Sequence, residues 1–109
     1  MIEINGMTVA TDKEGYLQER SQWSPEVAAL MAKNDRLELG KEHWLVINFI
    51  RQFYDEFGLA PPIRVLVRSL HKVHGSTIGN SRHLNRLFPL GPAKQASRYA
   101  GLPKPVNCI

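Results

Sequence analysis

The sequence predicts a mostly helical α+β fold: a short N-terminal β-meander packed on about five helices, with an extended, mobile C-terminal arm. Three observations carry this. Apolar residues alternate over the first twenty positions around Asn5-Gly6. Apolar residues then recur at spacings of three and four in successive stretches punctuated by helix start and stop signals. Finally, the last nine residues lose that periodicity and carry prolines at 103 and 105.

Ile2 and Ile4, then Met7 and Val9, with Tyr16 and Leu17 beyond, form the β element, broken by Asn5-Gly6 and Glu14-Gly15. Asn-Gly is a strong hairpin signal because both residues tolerate the positive φ of a type I′ turn. So small a sheet must lean on helices. The first helix starts at Ser24-Pro25-Glu26, where a hydroxyl caps orphan amides, proline suits the first turn and an acid meets the positive dipole end. Val27, Leu30 and Met31 form its apolar side. From Glu42 to Phe57, a wide stripe of Val46, Ile47, Ile50, Phe53, Tyr54 and Phe57 marks the central core helix. Gly58 ends it and Pro61-Pro62 opens the third helix. There Ile63, Leu66, Val67, Leu70 and Val73 face inward, with Arg64, Arg68 and His71 or Lys72 opposite. Gly75 and Gly79 bracket a turn. A short helix follows from about Asn80 to Phe88, with Leu84, Leu87 and Phe88 apolar and Arg82 and Arg86 one turn apart. Gly91-Pro92 starts the last helix, to about Ala100, with Ala93, Ala96 and Ala100 inward and Lys94 and Arg98 outward. Gly101 caps it and Pro103 forbids continuation.

The 109 residues fit one domain, read as residues 1–100, with residues 101–109 as the arm. Hydrophobic and charged shares of 43% and 22% are those of a globular chain, which excludes a disordered class. No apolar run approaches the roughly 18 residues of a membrane span. The N-terminus lacks the pattern of a secretory signal, and one cysteine cannot form an internal disulfide, so a reducing cytoplasm is expected. A core this size leaves little room for a large catalytic pocket.

Charge divides the chain. All ten acidic residues lie in the first 56 positions, alongside six basic ones. From Phe57 onward there are eight basic residues and no acid: Arg64, Arg68, Lys72, Arg82, Arg86, Lys94, Arg98 and Lys104. Such asymmetry suggests an acidic partner, nucleic acid or an acidic protein surface, against the alternative of a merely dipolar soluble surface. Arg64, Arg68, Arg82, Arg86, Arg98 and Lys104 are the candidate partner-binding residues.

The two prolines hold the tail extended. Residues 102–109 at about 3.1 Å each span roughly 25 Å, against a body of ~13 Å radius of gyration. Cys108, the only cysteine, is penultimate. A reactive atom on a semi-stiff projection suits delivery into another protein's pocket better than service by a fixed base of its own fold. A free thiol has a pKa of about 8.5, and the adjacent terminal carboxylate disfavours the thiolate further, so activation is expected from the receiving partner. An incidental terminal cysteine is the alternative.

The stretches Asp12-Lys13-Glu14-Gly15-Tyr16-Leu17, Glu42-His43-Trp44, Asn80-Ser81-Arg82, Leu87-Phe88-Pro89, Gly91-Pro92-Ala93-Lys94-Gln95-Ala96 and Ala100-Gly101-Leu102-Pro103-Lys104-Pro105, with Cys108, resemble the DsrC/TusE family of sulfur-relay proteins. The likeness covers nearly the whole chain in motif order. Its most specific part is Gly-Leu-Pro-Lys-Pro followed by the penultimate cysteine. The resemblance implies Cys108 as a sulfur carrier on a mobile arm. DsrC proteins linked to dissimilatory sulfite reductase carry a second cysteine about eleven residues upstream. Here that position is Ser97, so the internal disulfide is impossible and the resemblance points to the single-cysteine TusE branch. Members of that branch accept a persulfide from a TusBCD complex and pass it toward the tRNA thiouridylase MnmA, which makes 2-thiouridine at the wobble position. The resemblance therefore implies a TusBCD-like donor, an MnmA-like acceptor, and tRNA reached through that acceptor.

Other readings compete. Phe49 to Leu70, with its Gly-x-x-Pro-Pro punctuation, has the look of a winged-helix or helix-turn-helix DNA-binding module, with Arg82, His83 and Arg86 on the recognition helix. That leaves the arm unexplained. A DsrC-like partner of sulfite reductase is a further alternative. His71, His74 and His83 complete no tetrahedral set, and HExxH, P-loop, GxGxxG and CxxC motifs are absent, so neither metal nor cofactor is expected. Trp23 and Trp44 read as core or interface packing, and Ser97 as a helix-surface residue. The chain reads as a carrier in transferase chemistry without a self-contained active site.

Overall fold

Turn chemistry sets the N-terminal hairpin. In the computed structural model, which describes residues 2–4 and 6–105, β1 (Ile2–Ile4) and β2 (Met7–Val9) pair antiparallel, with Ile2 opposite Val9 and Ile4 opposite Met7. That register leaves a two-residue loop in which Gly6 takes a φ of +79°. The meander continues only as a single bridge between Thr11 and Leu17. Asp12 folds this turn, its Oδ1 accepting from the N–H groups of Glu14 (2.9 Å) and Tyr16 (3.0 Å). Val9 and Tyr16 are buried against the helices.

Five helices follow: α1 (Pro25–Asn34), α2 (Lys41–Phe57), α3 (Ile63–His74), α4 (Ser81–Leu87) and α5 (Pro92–Tyr99). Their ends follow local chemistry. Ser24 Oγ accepts from the Val27 N–H at 3.3 Å, and Asn80 Oδ1 from the His83 N–H at 2.7 Å. Gly58 closes α2 in the left-handed region. At the start of α2, His43 Nδ1 accepts from the Gly40 N–H (3.0 Å). The opposite ring nitrogen then carries the proton and donates to Leu87 O (2.8 Å), tying α2 to α4. No helix among the described residues is long and apolar enough to cross a membrane.

The core joins Val27 and Met31 of α1, Val46, Ile47 and Ile50 of α2, Leu66 and Leu70 of α3, Leu84 of α4, and Tyr99 of α5. The stripe on α2 made it the central helix, but α5 is the element against which α1, α2, α3 and α4 all pack. Its small residues Ala93, Ala96 and Ser97 let the other helices approach closely. Two inward expectations fail at helix ends. Val73 is 62% exposed and Phe57 56%, because both line an open concavity between α2 and α3.

The first residues read as the arm are tied to the helix end. Leu102 N–H donates to Ser97 O (3.0 Å) and Gly101 N–H to Arg98 O (3.1 Å), a Schellman closure with Gly101 at φ +73°. Leu102 is buried in the core, Pro105 is buried, and Lys104 Nζ lies 3.0 Å from Glu14 Oε2. Residues 101–105 thus lie against the body, because an apolar residue after the helix cap gains more in the core than in water.

Candidate functional site

The root of the C-terminal tail is built by residues far away in sequence. Trp23 Nε1–H donates to Tyr99 O at 2.7 Å. Arg51 Nη1 donates to Ala100 O at 2.7 Å while its guanidinium stacks 3.7 Å from the Trp23 ring. The carbonyls closing α5, which have no helical partner of their own, are satisfied from α2 and the loop before α1. The indole lies so close over Gly101 that a Cβ there would come within 2.5 Å of Trp23 Cδ1. Partial burial lowers the Arg51 pKa, Asp55 pulls it back up and Arg20 adds to the lowering. An arginine starts so high that it stays charged.

A second layer holds α5 itself. Asp35 Oδ2, just past the end of α1, accepts from Arg98 Nη2 and from the Tyr99 hydroxyl (2.7 Å). Gln95 Nε2 donates to that hydroxyl at 2.7 Å, and Gln95 Oε1 accepts from Leu90 N–H at 2.8 Å. Burial, with the neighbouring Asp35, pushes the Tyr99 pKa up, so the phenol remains a neutral donor. The Asp35 and Arg98 side chains are each 18% exposed. Removing one partner strands a part-buried charge, so Asp35→Ala is expected to cost about 2–3 kcal/mol in urea unfolding, with Tyr99→Phe costing about 1 kcal/mol.

The sequence-derived candidates scatter over this frame. Cys108 lies outside the described residues. Arg64 and Arg68 are exposed on α3, and Arg82 and Arg86 on α4. Arg98 is corrected: the expected outward cation is folded onto Asp35, and Lys104 pairs with Glu14 at the tail root. His83 is drawn to Glu42 Oε1 at 2.6 Å, its side chain 19% exposed, which turns it away from the surface a recognition helix needs. Among the described residues no group of three His, Cys, Asp or Glu side chains is placed to hold a metal. Beside the root, a concavity of about 310 Å³ is lined by Asp12, Tyr16, Arg20, Tyr54, Pro103 and Lys104. Trp23, Arg51, Asp35 and Tyr99 had no local sequence signal; their partners are dozens of residues away.

Ser97 overturns its reading as a surface residue. It is fully buried, and among the described residues its hydroxyl has no hydrogen-bond partner. A buried hydroxyl without a partner costs stability. Ser97→Ala is therefore expected to match or exceed the parent in thermal unfolding, by up to about 1 kcal/mol. A clear loss would show that the hydroxyl is bonded after all.

The comparisons agree with this architecture. The family model described as DsrC like protein matches residues 3–109. The chain is 52% identical over its full 109 residues, and the relatives' full length, to proteins named Sulfurtransferase TusE from Salmonella typhimurium strain LT2 and Escherichia coli strain K12. Among solved structures, Allochromatium vinosum DsrC superposes with a TM-score of 0.90 at 53% identity, covering 99% of this chain and 96% of that one. The oxidized gamma-subunit of the dissimilatory sulfite reductase (DsrC) from Archaeoglobus fulgidus gives 0.84 at 40% identity, covering 98% and 97%. Identity alone does not separate the two named groups, since 52% and 53% are equivalent. What the sequence, the packed tail root and these matches establish together is that the chain belongs to the DsrC-like protein family.

Proposed function

We propose that this chain is a sulfur carrier of the cytoplasm. In this reading Cys108 takes the outer sulfur of a persulfide on a TusBCD-like donor and hands it to an MnmA-like thiouridylase for 2-thiolation of the tRNA wobble uridine. The carrying observation is a single cysteine placed penultimate, a few residues past a root clamped by Trp23, Arg51 and the Gly101-Leu102 closure. The Cys108 thiolate attacks the outer sulfur of the donor's R–S–SH. The new S–S bond forms as the donor's S–S bond breaks, leaving R–S⁻ and Cys108–S–SH. The acceptor's thiolate then takes the same outer sulfur and releases Cys108 as thiolate. No net oxidation occurs, so no cofactor is required. The transfer needs access and a good leaving thiol more than a base within this fold.

The relatives' names support the sulfurtransferase half of this reading, and the replacement of the second thiol by Ser97 separates the chain from two-cysteine cycles that close an internal disulfide. Arg64, Arg68, Arg82, Arg86 and Lys104 are proposed to steer acidic partner surfaces. Arg98 is set apart from these because it is folded in against Asp35 with its side chain 18% exposed, whereas Lys104, though paired with Glu14, stays 43% exposed. Incubation with a persulfide-bearing donor is expected to add one sulfur, about 32 Da, at Cys108. An unchanged intact mass under conditions that load an authentic carrier overturns the reading.

A further inference from the structure

Away from the tail root, α2 and α3 enclose an open groove of about 1000 Å³. Its floor is apolar: Phe49, Phe53 and Phe57 from α2, Val65 and Val73 from α3. The Phe53 and Phe57 rings meet at a tilt with centroids 4.6 Å apart, and Val73 and Phe57 are stripe residues that lie exposed. The rims differ in charge. On α3, Arg64, Arg68 and Lys72 run in one i, i+4, i+8 row that meets the groove at Lys72. All three are exposed, and among the described residues none is in an ion pair. On α2 the corresponding row is Asn48, Gln52 and Glu56, polar with one acid.

We infer that this groove is a docking site for an amphipathic helix of a partner protein, with apolar residues at i, i+3/i+4 and i+7 on the floor and acidic residues along the flank facing α3. The dimensions suit it. Leu45 to Glu56 is eleven helical steps, about 17 Å, or three turns of a docked helix. Charge complementarity sets the orientation: acids pair with the α3 row, while the α2 rim takes neutral or basic residues. A second copy of this chain fits poorly, since the same face of the copy brings three cations and one acid. A nucleic acid fits poorly too, because the cations occupy one rim and the recessed floor offers phosphates nothing. The inference shares Arg64 and Arg68 with the steering role proposed above, but it does not rest on the sulfur chemistry of Cys108. Arg51 and Tyr54, on the far face of α2, serve the tail root, so an occupied groove leaves that root uncovered.

The test uses the full chain, amide NMR and a synthetic helix-forming peptide of about fifteen residues, with leucines in that pattern and glutamates on one flank. Saturable shifts confined to residues 45–57 and 64–74 are expected. Replacing the glutamates by lysines weakens binding at least about tenfold, and the exposed pair Arg68→Glu with Lys72→Glu reverses that preference. Cys108→Ser leaves binding unchanged, which separates this outcome from the fate of the carrier reading. Equal affinity for both peptides, shifts elsewhere, or no binding at about 1 mM overturns the inference. Self-association that protects the same amides, or displacement of the peptide by tRNA, assigns the groove to another occupant and overturns it as well.

Discussion

Cells whose only copy of this carrier bears Cys108→Ser are expected to lose 2-thiouridine from their tRNA, to background levels. The reason is chemical. A serine hydroxyl supplies no appreciable anion near neutral pH and forms no persulfide, so both the accepting and the donating step vanish. The loss is at least about a hundredfold, since no thiol remains anywhere in the variant chain. Ser97 offers no bypass, being fully buried and an alcohol. The fold is expected to stand, because the core closes at Leu102 and the last described contact is buried Pro105. Nucleoside analysis of purified tRNA, with circular dichroism of the variant as a folding check, reads the result. Wild-type 2-thiouridine in a folded Cys108→Ser background removes the carrier role.

How much of this was legible beforehand depends on whether the chemistry is local. Ser24, Gly58 and Asn80 mark helix ends because each acts within three or four residues of itself, and the structure places those ends within a residue or two. The hairpin turn was legible for the same reason. The carrier role came from the family resemblance; as a candidate residue, Cys108 was legible from count and position, one cysteine behind two prolines. Its anchor was not. Trp23 reaches Tyr99 across 76 positions, Arg98 reaches Asp35 across 63, and Arg51 reaches Ala100 across 49, and no periodic pattern encodes such pairs.

The misreadings share a physical cause. An apolar stripe records which face is apolar, and does not say whether the rest of the chain covers it. Phe57 and Val73 therefore looked like core and turned out to line the groove between α2 and α3. The opposite error occurred in α5. That helix has eight residues and buries six of them, so it has almost no solvent face. Ser97 and Arg98 were assigned outward on polarity, yet one is enclosed and the other is folded onto Asp35. The tail root had a usable signal. Gly101 past a helix end followed by apolar Leu102 is the pattern of a Schellman closure whose next residue packs inward, and it binds the root of the tail to the body.

Gly79→Ala is expected to be the most destabilising single-methyl change in the chain. Gly79 is buried where the chain turns back against α3, its N–H donating to Gly75 O at 2.9 Å. Asn80 closes the same turn through Nδ2 to Ser76 O (2.7 Å) and then caps α4. A Cβ at position 79 would lie 2.0 Å from His71 N and 2.2 Å from His71 Cα. Those are helix backbone atoms, so no rotamer relieves the overlap and α4 must move away from α3. The displacement withdraws Leu84 and Phe88, both fully buried, from the core. Overpacking against side chains costs about 1–3 kcal/mol, and against backbone the figure rises to about 3–5, a large part of the 5–15 kcal/mol that stabilises a typical domain. A fall in Tm of at least about 12 °C follows. Gly58→Ala supplies the control. Its φ of +75° carries the left-handed penalty of about 1 kcal/mol, but no atom lies within 4 Å of the added methyl. Thermal unfolding of the two variants side by side separates close approach from backbone conformation, and equal losses would mean that α3 and the Gly79 turn are not in contact as described.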